Sequence, residues 1–250
     1  MQNTEAKNPS SNPSHGVRAL TIQDQAPDAE IFINRSCYSL SEIVAGKKVV
    51  DIGCGYGRFQ SVVETAGGSW VGVEPFEGGA HMVVGSAEDL PFEDKTFDVA
   101  IMHAVLEHVQ DVNASFSEAS RVLKPGGKLV GYVAFMECFH EISYSHLSYK
   151  ALEYYAEKHN MKLKKVSGGG EFGISYHLGV LLYPVPTKLL RRLIDKVIRG
   201  TFRLKSRIAY VGLRWRRKWD VARAKEYARL YYQVECLRQS VGFDFVIEKR

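Results

Sequence analysis

The chain has 250 residues, 45% apolar and 24% charged, with 22 glycines and a net charge of +5, the profile of a globular chain of roughly one to two domains that can bury a sizeable core. No apolar run approaches the ~18 to 20 residues that cross a bilayer, and polar Met1–His15 has neither the apolar stretch of a secretory signal nor an Arg-rich amphipathic pattern, which sets aside a membrane-spanning or secreted protein. Cys37, Cys54, Cys138 and Cys236 are far apart and lack C-x-x-C spacing, so no metal site or disulfide scaffold is expected and a reducing cytoplasm fits.

Met1–His15, rich in Asn, Ser and Pro, has nothing to bury and is expected to form a disordered tail. Short runs enriched in β-branched and aromatic residues at Lys47–Ile52, Trp70–Val73, Phe97–Met102 and Lys128–Val133 read as buried strands. Helical stretches lie between and after them: Arg58–Thr65, Val105–Val122 and Ser148–Asn160. In the last, Ser148 offers an N-cap and Leu152, Tyr155, Ala156 and His159 share a face. Strands alternating with helices imply βαβ units and a parallel sheet, so residues 16–170 are expected to form one core.

The composition changes after Gly168–Gly170. Thr187 is placed to cap a helix with Leu189, Leu190, Leu193, Ile194, Val197 and Ile198 on one side and Lys188, Arg191, Arg192, Lys196 and Arg199 on the other, with Gly200 expected to end it. A second basic block, Arg214–Trp219, leads into a helical stretch at Val221–Gln239, and the alternation of Phe243–Glu248 suggests an edge strand completing the sheet. Lys188–Lys225 holds fourteen Lys or Arg against Asp195 and Asp220, a net of +12 that leaves −7 for the rest of the chain. Such asymmetry points either to a polyanionic partner or to a basic face folded over the acidic part of the same chain.

Between the first strand and the following helix stands V-V-D-I-G-C-G-Y-G-R-F, with Gly53, Gly55 and Gly57 at the turn. Glycines there let the backbone turn at positive φ and approach a ligand closely. A dinucleotide fingerprint needs its third glycine one residue later, where Arg58 stands, which weakens a nicotinamide reading. Glu74 ends the second strand, where a carboxylate can accept both hydroxyls of an unphosphorylated ribose. Ala87 is small enough to sit beside a planar base, and Glu88 or Asp89 can accept from an adenine amino group. Asp51, Glu74, Glu88 and Asp89 together favour a ligand without pyrophosphate and with positive charge, conditions that S-adenosylmethionine meets. Taken singly, Asp51 reads equally well as a cap on the turn and the acids as solvated side chains.

The segments V-V-D-I-G-C-G-Y-G-R-F, V-G-V-E-P, S-A-E-D-L-P-F-E-D-K-T-F-D-V-A, A-V-L-E-H-V-Q-D and R-V-L-K-P-G-G-K-L-V closely resemble, in order and spacing over Lys47–Val133, the motifs of class I S-adenosylmethionine-dependent methyltransferases of the small-molecule kind called type 11. The resemblance implies an α/β fold with a Rossmann-like, doubly wound, seven-stranded and mostly parallel sheet closed by a C-terminal antiparallel strand, here residues 241–250. Residues 171–240 then become a basic helical insertion or lid. By the same resemblance Asp51, Gly53, Cys54 and Gly55 would line the methionine part of the cofactor, Glu74 the ribose, and Ala87 with Glu88 the adenine. The backbone around His103 would meet the methionine amino end.

Methyl transfer from a sulfonium is an in-line displacement, helped by positioning and exclusion of water. If the acceptor is a hydroxyl or a protonated amine, a histidine is the natural group to take its proton. His103 and His146 are the candidates; His140 is a weaker one, and the E-H-V context of His108 resembles a family position that is often structural. The leading expectation is an enzyme acting on an O, N or C atom of a small-molecule, lipid or glycan-precursor acceptor, cytoplasmic and peripheral to an anionic membrane through the basic insertion. The alternatives are an RNA methyltransferase using that insertion, weakened because His103–Leu106 stands where base-amino methyltransferases carry N-P-P-Y, and a non-catalytic partner that binds the cofactor.

Overall fold

A computed structural model describes residues 21–76, 82–138, 142–168 and 171–250; the expected N-terminal tail, His140 and most of the Gly168–Gly170 break lie outside them. Eight strands form one sheet in the order β4-β3-β2-β5-β6-β8-β7-β1. They are β1 (Glu30–Ile33), β2 (Lys48–Ile52), β3 (Ser69–Glu74), β4 (Met82–Val84), β5 (Phe97–His103), β6 (Leu123–Ala134), β7 (Met161–Gly168) and β8 (Gly242–Lys249). Among the strands of the described residues, β8 alone runs antiparallel, between β6 and β7.

The central strands are mainly apolar because helices cover both faces. Val50 and Ile52 of β2 and Ala100 and Met102 of β5 pack on one side with Phe116 and Ala119 of α4 (Val112–Val122) and Leu152 and Ala156 of α5 (Tyr149–Lys158). Val49, Val99 and Ile101 pack on the other with Val44 of α2 (Leu40–Val44) and Val63 of α3 (Gln60–Thr65). This period-2 division of fully buried residues is the signature of a parallel sheet enclosed in a three-layer fold. The short α1 (Ile22–Gln25), with a capping box from Thr21 and Asp24, precedes β1.

The five strands located in the sequence are all present; β4 and β7 bring the number to the seven that the resemblance implies, and β1, which pairs with β7 in parallel, adds an eighth at the edge. Four expectations change, the last of them the Thr187 cap. Phe243–Glu248 is not an edge strand: β8 is hydrogen-bonded on both sides, and its inner residues Phe243, Phe245 and Ile247 are buried. The helix expected over Val105–Val122 begins only at Val112. Ala104 takes a positive φ of 57° at the end of β5 and Asp111 caps α4 by accepting from the Ala114 N–H, so the intervening residues turn. Gly200 does not end its helix, for α7 runs from Lys188 to Arg216. A single glycine costs a helix about 1 kcal/mol, too little to break one that is anchored by Ile198 and Phe202 on either side of it.

The segment between β7 and β8 consists of α6 (Gly173–Leu181), α7 and α8 (Val221–Arg238). Asp220 caps α8 through the Arg223 N–H, whereas Thr187 gives α7 no side-chain cap. Phe172, Phe202 and Cys236 form a small separate core there with Ile33, Ile198 and Tyr232.

Candidate functional site

The sheet order reverses between β2 and β5, since the chain moves from β2 outward to β3 and β4 and then crosses back to β5. At such a point the loops beyond the carboxyl ends of neighbouring strands diverge and leave a crevice. The carboxyl ends of β2, β3 and β5 and the loops that follow β2 and β4 carry all but one of the residues expected to act; His146 follows β6.

The end of β2 is tied to β3 by backbone. The N–H groups of Gly53 and Cys54 both donate to the Val73 carbonyl, at 2.9 and 3.1 Å, and the Gly55 N–H donates to Glu74 Oε2 at 2.9 Å. Gly53 has φ of 67°, and a Cβ there would stand 2.5 Å from Val105 Cγ2, so only glycine fits under the turn that follows β5. Gly55, at φ of 54°, has open space where its Cβ would point. The loop therefore presents bare backbone beside a carboxylate whose orientation is already set.

Asp51 is buried, and its Oδ2 accepts from Trp70 Nε1 at 3.1 Å. Burial pushes its carboxyl up to about 7, the nearby Glu74 adds to this, and the Trp70 hydrogen bond partly offsets it. The Cys54 thiol is buried in the same wall and raised to about 11, by burial and then by Asp51 and Glu74. It stays a neutral thiol, a lining group rather than a nucleophile.

His103 closes β5. Its ring lies 5.3 Å from Phe59 and stacks at 5.5 Å on Tyr132, the residue paired with it across β5 and β6. Burial and the Arg58 guanidinium hold its pKa below the usual value, so the ring is neutral and able to accept a proton at pH 7. The Tyr132 hydroxyl donates to Glu137 Oε1. Ala104, next in the chain, is held at positive φ by donating to the Tyr132 carbonyl at 2.9 Å, a strained residue directly at the crevice.

Ala87 is buried. The Glu88 carboxylate is already engaged by its own chain, accepting from the Asp111 N–H at 2.5 Å and from Ser86 Oγ at 3.3 Å. His146 sits beyond β6, where its Nδ1 donates to the Phe135 carbonyl at 3.1 Å and its Nε2 is shielded from solvent. His108 Nδ1 donates to the Ile142 carbonyl at 3.0 Å, and the carbonyl of buried Glu107 accepts from the Tyr144 N–H at 2.7 Å. The E-H pair thus fastens the segment that lies between β6 and α5. Tyr132, Phe59, Trp70 and Glu137 escape a reading of the sequence, because only strand register brings Tyr132 beside His103 and only the β2–β3 pairing brings Trp70 to Asp51.

Among known proteins, residues 50–131 match the family described as a methyltransferase domain, type 11. A relative from Mycobacterium sp. (strain JLS), described as an uncharacterized methyltransferase, is 33% identical over 150 residues, covering 54% of this chain and 60% of that one. A second, from Mycobacterium tuberculosis (strain ATCC 25177 / H37Ra) and described in the same words, is 33% identical over 152 residues with the same coverage. The chain thus spans about 60% of the length of these curated relatives. A solved structure described as an S-adenosylmethionine-dependent methyltransferase of Methanosarcina mazei shares the fold at a TM-score of 0.50 and 16% identity, over 86% of this chain and 99% of that one.

Proposed function

We propose, from the match of residues 50–131 to a methyltransferase domain of type 11, that this chain moves a methyl group from S-adenosylmethionine to an O, N or C atom of a small-molecule, lipid or glycan-precursor acceptor. The observation that carries this reading is the cradle at the end of β2. The bare backbone of Gly53 and Gly55 lies beside a Glu74 carboxylate fixed by the Gly55 N–H, with Asp51 behind it. Such a site suits an adenosyl ribose and a nearby positive charge.

When bound, S-adenosylmethionine supplies an electrophilic methyl on a sulfonium. In this reading Glu74 holds the ribose hydroxyls, and Asp51 with the loop of Gly53, Cys54 and Gly55 lines the methionine part. Ala87 faces the adenine and Glu88 shapes its loop through Ser86 and Asp111. His103, neutral and held between Phe59 and Tyr132, accepts the proton that a hydroxyl or ammonium acceptor gives up. His146, whose Nδ1 is hydrogen-bonded to the Phe135 carbonyl, is the second candidate for that role. The histidines and the aromatic rings around them also exclude water from the reacting atoms.

Isothermal calorimetry with S-adenosylmethionine on ligand-stripped protein tests the cradle: saturable binding that Glu74→Ala abolishes supports the reading, and a folded protein giving no saturable heat overturns it. Incubation of metabolite and lipid extracts with methyl-labelled cofactor then identifies the acceptor.

A further inference from the structure

The helix α7 is 29 residues long and packs on the rest of the chain with a narrow face. Phe202 and Ile198 enter the small core between α7 and α8, and Asp195, the one acidic residue of the helix, is buried, accepting from the Phe172 N–H at 3.2 Å and from Ser175 Oγ at 2.6 Å. At 3.6 residues per turn, Leu189, Leu193, Val197, Leu204, Ile208 and Val211 fall within an arc of about 100° on the opposite side. Trp215 ends this row. All seven lie in solvent, between 49% and 83% exposed. The apolar face of α7 is therefore not the face that packs on the domain. Lys188, Arg192, Lys196, Arg203 and Arg207 run along one border of the arc, all exposed, and the helix carries ten basic residues in total.

We infer that α7 is a membrane-docking helix: its outward apolar row enters the boundary between headgroups and acyl chains of an anionic bilayer while the basic border meets the lipid phosphates. A helix with a strong apolar side and a Lys/Arg-rich flank is the form that lies in this interface, and no helix among the described residues is long and apolar enough to cross a membrane. Charge separates this occupant from the others. A second copy docked row to row would bring ten basic residues from each α7 together, with the single acid turned inward. Nucleic acid would meet the arginines but leave the leucines and isoleucine in water. Of these three occupants, the anionic lipid surface alone satisfies the charge and the apolar row at once. The inference concerns α7 alone and stands or falls independently of methyl transfer.

The test is co-sedimentation of the full chain with vesicles of phosphatidylcholine, with and without phosphatidylglycerol, at low and high salt. Binding to the anionic vesicles that weakens with salt is expected, with a blue shift of tryptophan emission that is lost in Trp215→Phe. Leu193→Glu with Ile208→Glu, both outward-facing, lowers partitioning at least about tenfold at unchanged far-UV circular dichroism. Arg192→Glu with Lys196→Glu lowers it about tenfold, on anionic vesicles only. Undiminished binding by the Leu193→Glu, Ile208→Glu protein overturns the inference. So does an absence of vesicle binding, whether the wild type is instead a dimer that this variant dissociates, binds a generic RNA, or does neither.

Discussion

At the end of β2, Gly53, Cys54 and Gly55 aim three consecutive N–H groups at acceptors on β3, and the acidic side chains there are buried or held by hydrogen bonds. Along α7 the reverse holds: the acid is turned inward, while seven large apolar side chains and the border cations stand in water. A strand end locked between two neighbours has its geometry set from within the fold, so it can be shaped for a small ligand before the ligand arrives. A helix attached by one narrow face leaves its other faces to whatever lies outside the chain. Preorganisation in the first region and incompleteness in the second lead to separate expectations, each of which can break the contrast.

The sharpest is one substitution made in both places. Gly53→Ala forces a Cβ to within 2.5 Å of Val105 Cγ2 at a φ of 67°, and is expected to destabilise the fold by about 2 to 4 kcal/mol and to abolish cofactor binding. Thermal melts and calorimetry check both effects. If Gly53→Ala melts and binds like the wild type, the end of β2 is not a locked cradle.

At His103 a base is expected to show in turnover rather than binding. His103→Gln lowers kcat about 100-fold with the affinity for S-adenosylmethionine nearly unchanged. The wild-type rate falls only as the pH drops through a value below the ordinary histidine range, because burial and Arg58 depress the pKa of this ring. Unchanged turnover in the variant removes His103 as the base. At Glu74, Gln retains an acceptor for the Gly55 N–H but loses the charge, and affinity for the cofactor falls about tenfold or more, read by calorimetry at unchanged melting temperature.

Asp51 links the site to pH. Its folded pKa of about 7 lies above the ~3.9 of an unfolded aspartate. Between those values the unfolded chain has lost the proton and the folded chain retains it, so stability of the ligand-free fold declines as pH rises from about 4 to about 7 and then levels off. The stability that Asp51→Asn gains over the wild type should grow across that window to about 2 to 4 kcal/mol. Denaturant titrations from pH 5 to pH 8 check it, and a gap that does not change with pH breaks the assignment. The smallest effect lies in α7, where Gly200 has open space at its Cβ position and no positive φ. Gly200→Ala should stabilise by about 0.5 to 1 kcal/mol, opposite in sign to Gly53→Ala, and a differential melt resolves the sign.

Most of the fold was legible because its signals are local. Apolar runs such as Val49–Ile52 and Phe97–Met102 read as strands wherever they end up, and the glycines after Ile52 mark a turn in any context. The Gly200 expectation failed because a local break signal competes with anchoring at Ile198 and Phe202 that the sequence does not display. The edge assignment of Phe243–Glu248 failed because alternation cannot tell a strand paired on one side from one paired on both.

The amino-acid order by itself determined the βαβ core, the glycine turn, the acidic cluster at the strand ends and the basic character of residues 188–225, since each follows from neighbours in sequence and from residue chemistry. Only the tertiary structure decided that Tyr132 and Phe59 flank His103, that Trp70 holds Asp51 and that α7 turns its apolar row outward. These depend on strand register and on which of two helix faces wins the packing, and contacts between residues distant along the chain set both.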